Sequence, residues 1–128
     1  MITAVRKRPK HLDLTKIRLP LPGIVSILHR VSGAALFLLG IPFGLAALQG
    51  SLGSAQGFDD WAGIIGHTLV KVITIGFAWA FMHHFFAGIR YLFLDVHKGT
   101  DLKTARLTSQ IVIVLGLLST LLIAIKLW

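Results

Sequence analysis

The sequence predicts an all-α membrane protein of three transmembrane helices, with the N-terminus in the cytoplasm and the C-terminus on the opposite side. Three observations carry this. First, three long runs contain no Lys, Arg, Asp or Glu: Val31 to Gln49, Val72 to Ile89 and Leu107 to Ile125. Each approaches the ~20 residues that cross ~30 Å of hydrocarbon as a helix. Helix is also the state that satisfies every backbone group within the segment. Second, 55% of the 128 residues are hydrophobic and 14% are charged, whereas a soluble domain is about one-quarter charged. Third, the cations are unevenly placed. Residues 1–22 carry Arg6, Lys7, Arg8, Lys10, Lys16 and Arg18 against one acid, Asp13. The connection after Asp95 carries Lys98, Lys103 and Arg106, while residues 49–61 carry no cation and two aspartates. Lys and Arg in short flanks stay on the cytoplasmic side.

The elements follow in order within one membrane-anchor domain, 1–128. Residues 1–21 form a basic cytoplasmic segment. The first helix is expected over 22–48, opening at Pro22, where the missing N–H is not needed. Pro42 predicts a kink, and Gly40-Ile-Pro-Phe-Gly44 reads as helix packing. Residues 49–61, rich in Gly, Ser and Gln, read as a short polar loop. The second helix is expected over 62–96. Its 35 residues would reach ~50 Å, so its ends must leave the membrane or tilt. Lys71 and His67 lie toward its far end, where a long cationic side chain snorkels to the surface. The third helix is expected over 103–127.

Composition removes several function classes. Without cysteine the chain holds no disulfide, no iron–sulfur cluster and no thiolate chemistry. The formal charge of +8 reads as topogenic charge, not as a nucleic-acid surface. No small-residue cleavage site precedes the first apolar run, so that run is expected to serve as an uncleaved insertion signal.

Two polar clusters interrupt the apolar runs. Ser26, His29 and Arg30 open the first helix at spacing i, i+3, i+4 and share a face. His83, His84, Arg90, Tyr91 and Asp95 close the second. Antiparallel neighbours bring both clusters to one depth near the cytoplasmic surface. An ionisable group in a membrane helix costs about 2.5–3.5 kcal/mol on insertion scales, which makes these residues candidates for function. His83 and His84 point ~100° apart, and periodicity does not choose between them. Either is a hydrogen-bonding group between helices or an axial haem ligand, since neutral imidazole is a common one. Gly76, Ala80, His84 and Gly88 fall at four-residue steps. That stripe suits either helix packing or a flat group against the backbone. Arg30 either snorkels to the surface or serves as a partner for an anion or a quinone carbonyl, with Ser26 as a second donor. Arg90 and Asp95 are expected to pair.

Arg8-Pro9 followed by Ser26-Ile-Leu-His29-Arg30-Val-Ser32 resembles the first signature of the cytochrome b556 membrane-anchor family of succinate dehydrogenase. His84-Phe-Phe-Ala-Gly88-Ile-Arg90-Tyr91-Leu-Phe-Leu-Asp95 resembles the second. The two signatures in order, the three-helix plan and the length extend the resemblance over the whole chain. It implies haem b with His84 as axial iron ligand, His29 and Arg30 near the haem propionates, and Ser26 and Arg30 at a quinone. It also implies a second small anchor subunit supplying the other haem ligand, an iron–sulfur subunit and a flavoprotein subunit that oxidises succinate. The chain departs from the family pattern at Lys10, Tyr91 and Leu94; Tyr91 lies closest to the proposed haem face. A bacterial cytoplasmic membrane is expected, with the mitochondrial inner membrane as the other setting. The alternatives are a fumarate reductase anchor running in the opposite direction and a haem-free structural subunit.

Overall fold

The computed structural model describes residues 18–128. Arg8-Pro9, Lys10 and the other cations of 1–17 lie outside them. Among the described residues the chain is helical throughout, and three helices are long and apolar enough to cross a membrane.

Helix α1 spans Leu21–Gly53. Pro20 precedes it in an extended conformation and Pro22 sits in its first turn. At Leu36–Gly40 the helix widens into one π turn, closed by the Ile41 N–H bonding back to the Leu36 carbonyl. This turn immediately precedes Pro42. A proline in a helix loses one backbone bond and its ring collides with the carbonyl four residues back. The extra residue in the π turn relieves that collision. The distortion expected at Pro42 thus takes the form of a widened turn on its N-terminal side.

The expected polar loop 49–61 is instead mostly helix. Helix α1 runs to Gly53, and α2 spans Ala55–Gly66. Ser54 turns the chain in an extended conformation, and its hydroxyl accepts the Gly57 N–H at 3.0 Å. Such a cap stabilises a helix start by about 1 kcal/mol. Gln56 donates to Asp60 at 3.0 Å, one turn on. The hairpin is tight because Gly50 lies against the Trp61 indole and Gly57 against the Gly50 carbonyl, leaving no room for a Cβ at either.

The single helix expected over 62–96 is broken at His67, whose ψ of 131° is extended. Helix α3 then spans Thr68–Asp95. Its 28 residues cover about 42 Å, so the break, and not tilt alone, resolves the excess length. The chain leaves α3 through His97 at φ 59° and Gly99 at φ 76°. The Lys98 N–H bonds to the Phe93 carbonyl and the His97 N–H to that of Leu94, a left-handed stop for the helix. Helix α4 spans Leu102–Leu127. Asp101 caps it by accepting the Thr104 N–H at 2.9 Å, and that bond holds its carboxyl below the usual carboxylate range.

Helices α1, α3 and α4 pack around a thin interior. The buried apolar residues are Val25, Ala80, Ala87 and Val112. The large apolar side chains, Phe37 and Leu122 among them, point outward. Lipid accepts those side chains as readily as a protein core would, so the helices gain by close backbone approach. Gly116 of α4 shows this, since a Cβ there would lie 3.5 Å from the His83 Cα. Ser109 and Thr120 line the same seam and donate to carbonyls of their own helix, those of Ala105 and Gly116, each at 2.7 Å. Gly116→Leu is expected to force α3 and α4 apart and to destabilise the fold by about 1–3 kcal/mol. Thermal unfolding in detergent reads this as a lowered midpoint; an unchanged midpoint would mean that the seam is not tight.

Candidate functional site

The polar clusters of α1 and α3 meet. The rings of His29 and His84 are stacked, with centroids 4.1 Å apart and planes 9° apart. The Tyr91 ring lies 5.0 Å from His29 at a tilt. His84 Nδ1 is 3.0 Å from the His29 carbonyl oxygen and 3.3 Å from the Ser32 hydroxyl oxygen. Ser32 in turn donates to the same carbonyl at 3.0 Å. A carbonyl only accepts, so Nδ1 carries the proton. In the neutral tautomer with the proton on Nδ1, Nε2 carries the bare lone pair. Histidines that bind metals are held in this way, with the other ring nitrogen donating to a backbone carbonyl.

His84 also borders a groove of about 630 Å³ between α1 and α3. Leu36, Gly40 and Ile41 of the π-turn region form one wall, and Phe77 and Phe81 of α3 form the other. Nearly every group facing it is apolar. Gly33 makes the approach of His84 to α1 possible, because a Cβ there would lie 2.7 Å from His84 Cε1. The stripe Gly76, Ala80, His84 and Gly88 does not form one cradle. Gly76 has open space beside it, Ala80 is buried, and the notch at Gly88 faces His29 Nε2. The small residue beside His84 is Gly33, on the opposite helix, while Gly40 lies against Phe77 further along the groove. Ser32 and Gly33 lie three and four residues after His29, and that spacing was the available signal for them.

His83 is placed differently. It is 1% exposed, stacks on Trp79 at 5.5 Å and packs against Gly116. Its Nε2 is buried with no hydrogen-bond partner among the described residues. The structure therefore separates the two histidines: His83 belongs to the three-helix interior and His84 to the groove.

Ser26 is half-buried and Arg30 exposed, both on α1 within one turn of His29. Arg90 does not pair with Asp95. Its Nε donates to Thr108 of α4 at 3.1 Å, and it is buried while Asp95 is exposed. Five residues apart, the two point ~140° away from each other on the helix. Lys71, expected to snorkel to the surface, lies over the Trp128 ring at 5.6 Å. The described residues contain no cluster of three His, Cys, Asp or Glu suited to a bare metal ion. One free imidazole beside a broad apolar groove fits a prosthetic group that brings its own ligands.

The fold and this site define a class: a small multi-pass α-helical membrane subunit with a pinned histidine facing an apolar groove. Residues 4–123 match the family described as the succinate dehydrogenase/fumarate reductase transmembrane subunit, and the chain belongs to that family. It is 32% identical over 123 residues to the succinate dehydrogenase cytochrome b556 subunit of Coxiella burnetii, covering 95% of this chain and 98% of the relative. It is 36% identical over 108 residues to the subunit of the same name from Paracoccus denitrificans, covering 83% and 81%. It is 32% identical over 118 residues to the mitochondrial succinate dehydrogenase cytochrome b560 subunit of Sus scrofa, covering 88% and 68%.

Gly33→Ala is expected to push the His84 ring off the His29 carbonyl. Imidazole ¹⁵N spectra should show His84 as the Nδ1-protonated tautomer in the wild type and a shifted or mixed signal in the variant. An unchanged signal would mean that α1 does not hold the ring.

Proposed function

We propose that the chain is the haem b-containing membrane anchor of a succinate dehydrogenase, and that it helps to pass electrons from an iron–sulfur subunit to quinone near the cytoplasmic face. The observation that carries this reading is His84, with Nδ1 engaged by α1 and its ring bordering an apolar groove. Neutral imidazole with a donated second N–H is the form that binds iron axially. The family membership and the cytochrome b556 name of its relatives favour the same group.

In this reading His84 would hold haem b through its imidazole, and a second small anchor subunit would supply a further ligand. Bound haem b supplies a one-electron redox centre within the membrane. The groove walls at Gly40, Phe77 and Phe81 keep water from it. Ser32 and the His29 carbonyl fix the ring angle of His84. His29, stacked on His84, and the exposed Arg30 beside it would be the partners for the haem propionates. Arg30 also serves, with Ser26, as a donor to a quinone carbonyl. A guanidinium and a hydroxyl one turn apart on α1 orient that carbonyl and stabilise the charge that grows on its oxygen during reduction. The basic flanks favour the cytoplasmic side for this end of the bundle, in a bacterial inner membrane on this reading, so that the quinone would take up its protons from that side. Succinate oxidation belongs to the flavoprotein subunit, and the chain is one component of the succinate:quinone oxidoreductase.

His84→Ala should abolish the b-type α-band in dithionite-reduced minus oxidised spectra of membranes holding the assembled complex. The variant chain should still insert. A full-strength band in the variant would contradict the assignment; a band missing from the wild type as well would favour a haem-free anchor.

Ser26→Ala and Arg30→Ala should lower quinone reduction, Arg30→Ala by at least about tenfold, the scale of one lost hydrogen bond to a charged group. Succinate oxidation with a soluble artificial acceptor should stay near wild type. Equal loss of both activities would contradict a quinone role for this turn.

A further inference from the structure

We propose that a second groove, between α3 and α4, binds one anionic phospholipid, with its phosphate at Arg90 and Lys98 and an acyl chain along Phe86 and Leu115. The groove holds about 360 Å³ and lies at the end of the bundle where α3 turns into α4. Phe86 and Phe93 of α3 and Ile111 and Leu115 of α4 make its walls. Phe86 and Phe93 sit about 180–200° around α3 from His84. The groove therefore lies across the helix from the haem face. The inference rests on the proposed function only in assigning the second anchor to that other face.

Charge identifies the occupant. Arg90 is 7% exposed, yet its one side-chain hydrogen bond among the described residues runs from Nε to Thr108. Its guanidinium carbon lies 5.7 Å from the Tyr91 ring. A hydroxyl and an aromatic face do not neutralise a cation, and a buried charge without a counter-charge is costly. Asp95 projects elsewhere, and among the described residues no acidic side chain lines the groove. Lys98, at its turn end, adds a second cation. The groove thus offers two cations at one end and apolar walls along the rest. Phe93, Ile111 and Leu115 are 56%, 46% and 39% exposed, so the walls open sideways toward lipid. A phospholipid with a net negative headgroup satisfies both halves at once. Basic pockets between transmembrane helices on the cytoplasmic side suit such headgroups.

The test uses the assembled complex, purified in a nonionic detergent and analysed by native mass spectrometry after titration with dioleoylphosphatidylglycerol. Parallel arms use dioleoylphosphatidylcholine and inorganic phosphate. The expected result is retention of phosphatidylglycerol in preference to both. Lys98→Ala should weaken it about fivefold, the scale of one juxtamembrane cation. Leu115→Trp, which fills the groove, should remove one bound lipid per chain. Lys98→Glu is the surface variant that keeps the test decisive if Leu115→Trp misfolds, and it should weaken retention further than Lys98→Ala. The haem spectrum of each variant should match wild type, which separates failure here from failure of the haem assignment. Equal retention of phosphatidylcholine, displacement by phosphate alone, or indifference to the Lys98 variants would overturn the proposal.

Discussion

A hydrogen bond between neighbouring helices organises this molecule: His84 Nδ1 of α3 donates to the carbonyl of His29 on α1. It brings two charged-residue clusters, far apart in sequence, to one depth in the membrane. It sets the tautomer of His84 and hence which nitrogen is free. It also requires Gly33, since the imidazole occupies the space that a Cβ would take. Ser32 reinforces the contact from the same turn. In a low-dielectric setting such a bond is stronger than in water, and an unmet partner is correspondingly costly.

The bilayer explains why so little else is buried. Four apolar side chains form the interior of the described residues, and three of them, Val25, Ala87 and Val112, touch one another. Helix association relies on small residues and on polar groups bonded to their own helix, as at Ser109, Gly116 and Thr120. The polar cost of the membrane is concentrated at His29, His83, His84 and Arg90. His84 and Arg90 each face a groove, and each groove is apolar apart from that residue's end.

Much of this was legible in the sequence because membrane helices announce themselves by length and missing charge. The meeting of Ser26–Arg30 with His83–Asp95 followed from antiparallel order alone. Other features depended on contacts that periodicity does not carry. The break at His67 and the cap at Ser54 hide in a Gly- and Ser-rich stretch that reads equally well as loop. The different surroundings of His83 and His84 depend on which helix faces each, and so on Gly116 and Gly33 of other helices. Arg90 looked paired to Asp95 by proximity in sequence, but helix geometry turns them apart and Thr108 is the partner.

The measurement that bears most directly on the central claim is an experimental structure of the assembled complex at a resolution that defines the imidazole plane. The account predicts haem iron about 2.0–2.1 Å from His84 Nε2, a usual metal–imidazole distance, with Nδ1 still bonded to the His29 carbonyl. Iron on His83, or a His84 ring turned away from α1 with no metal at Nε2, would contradict it.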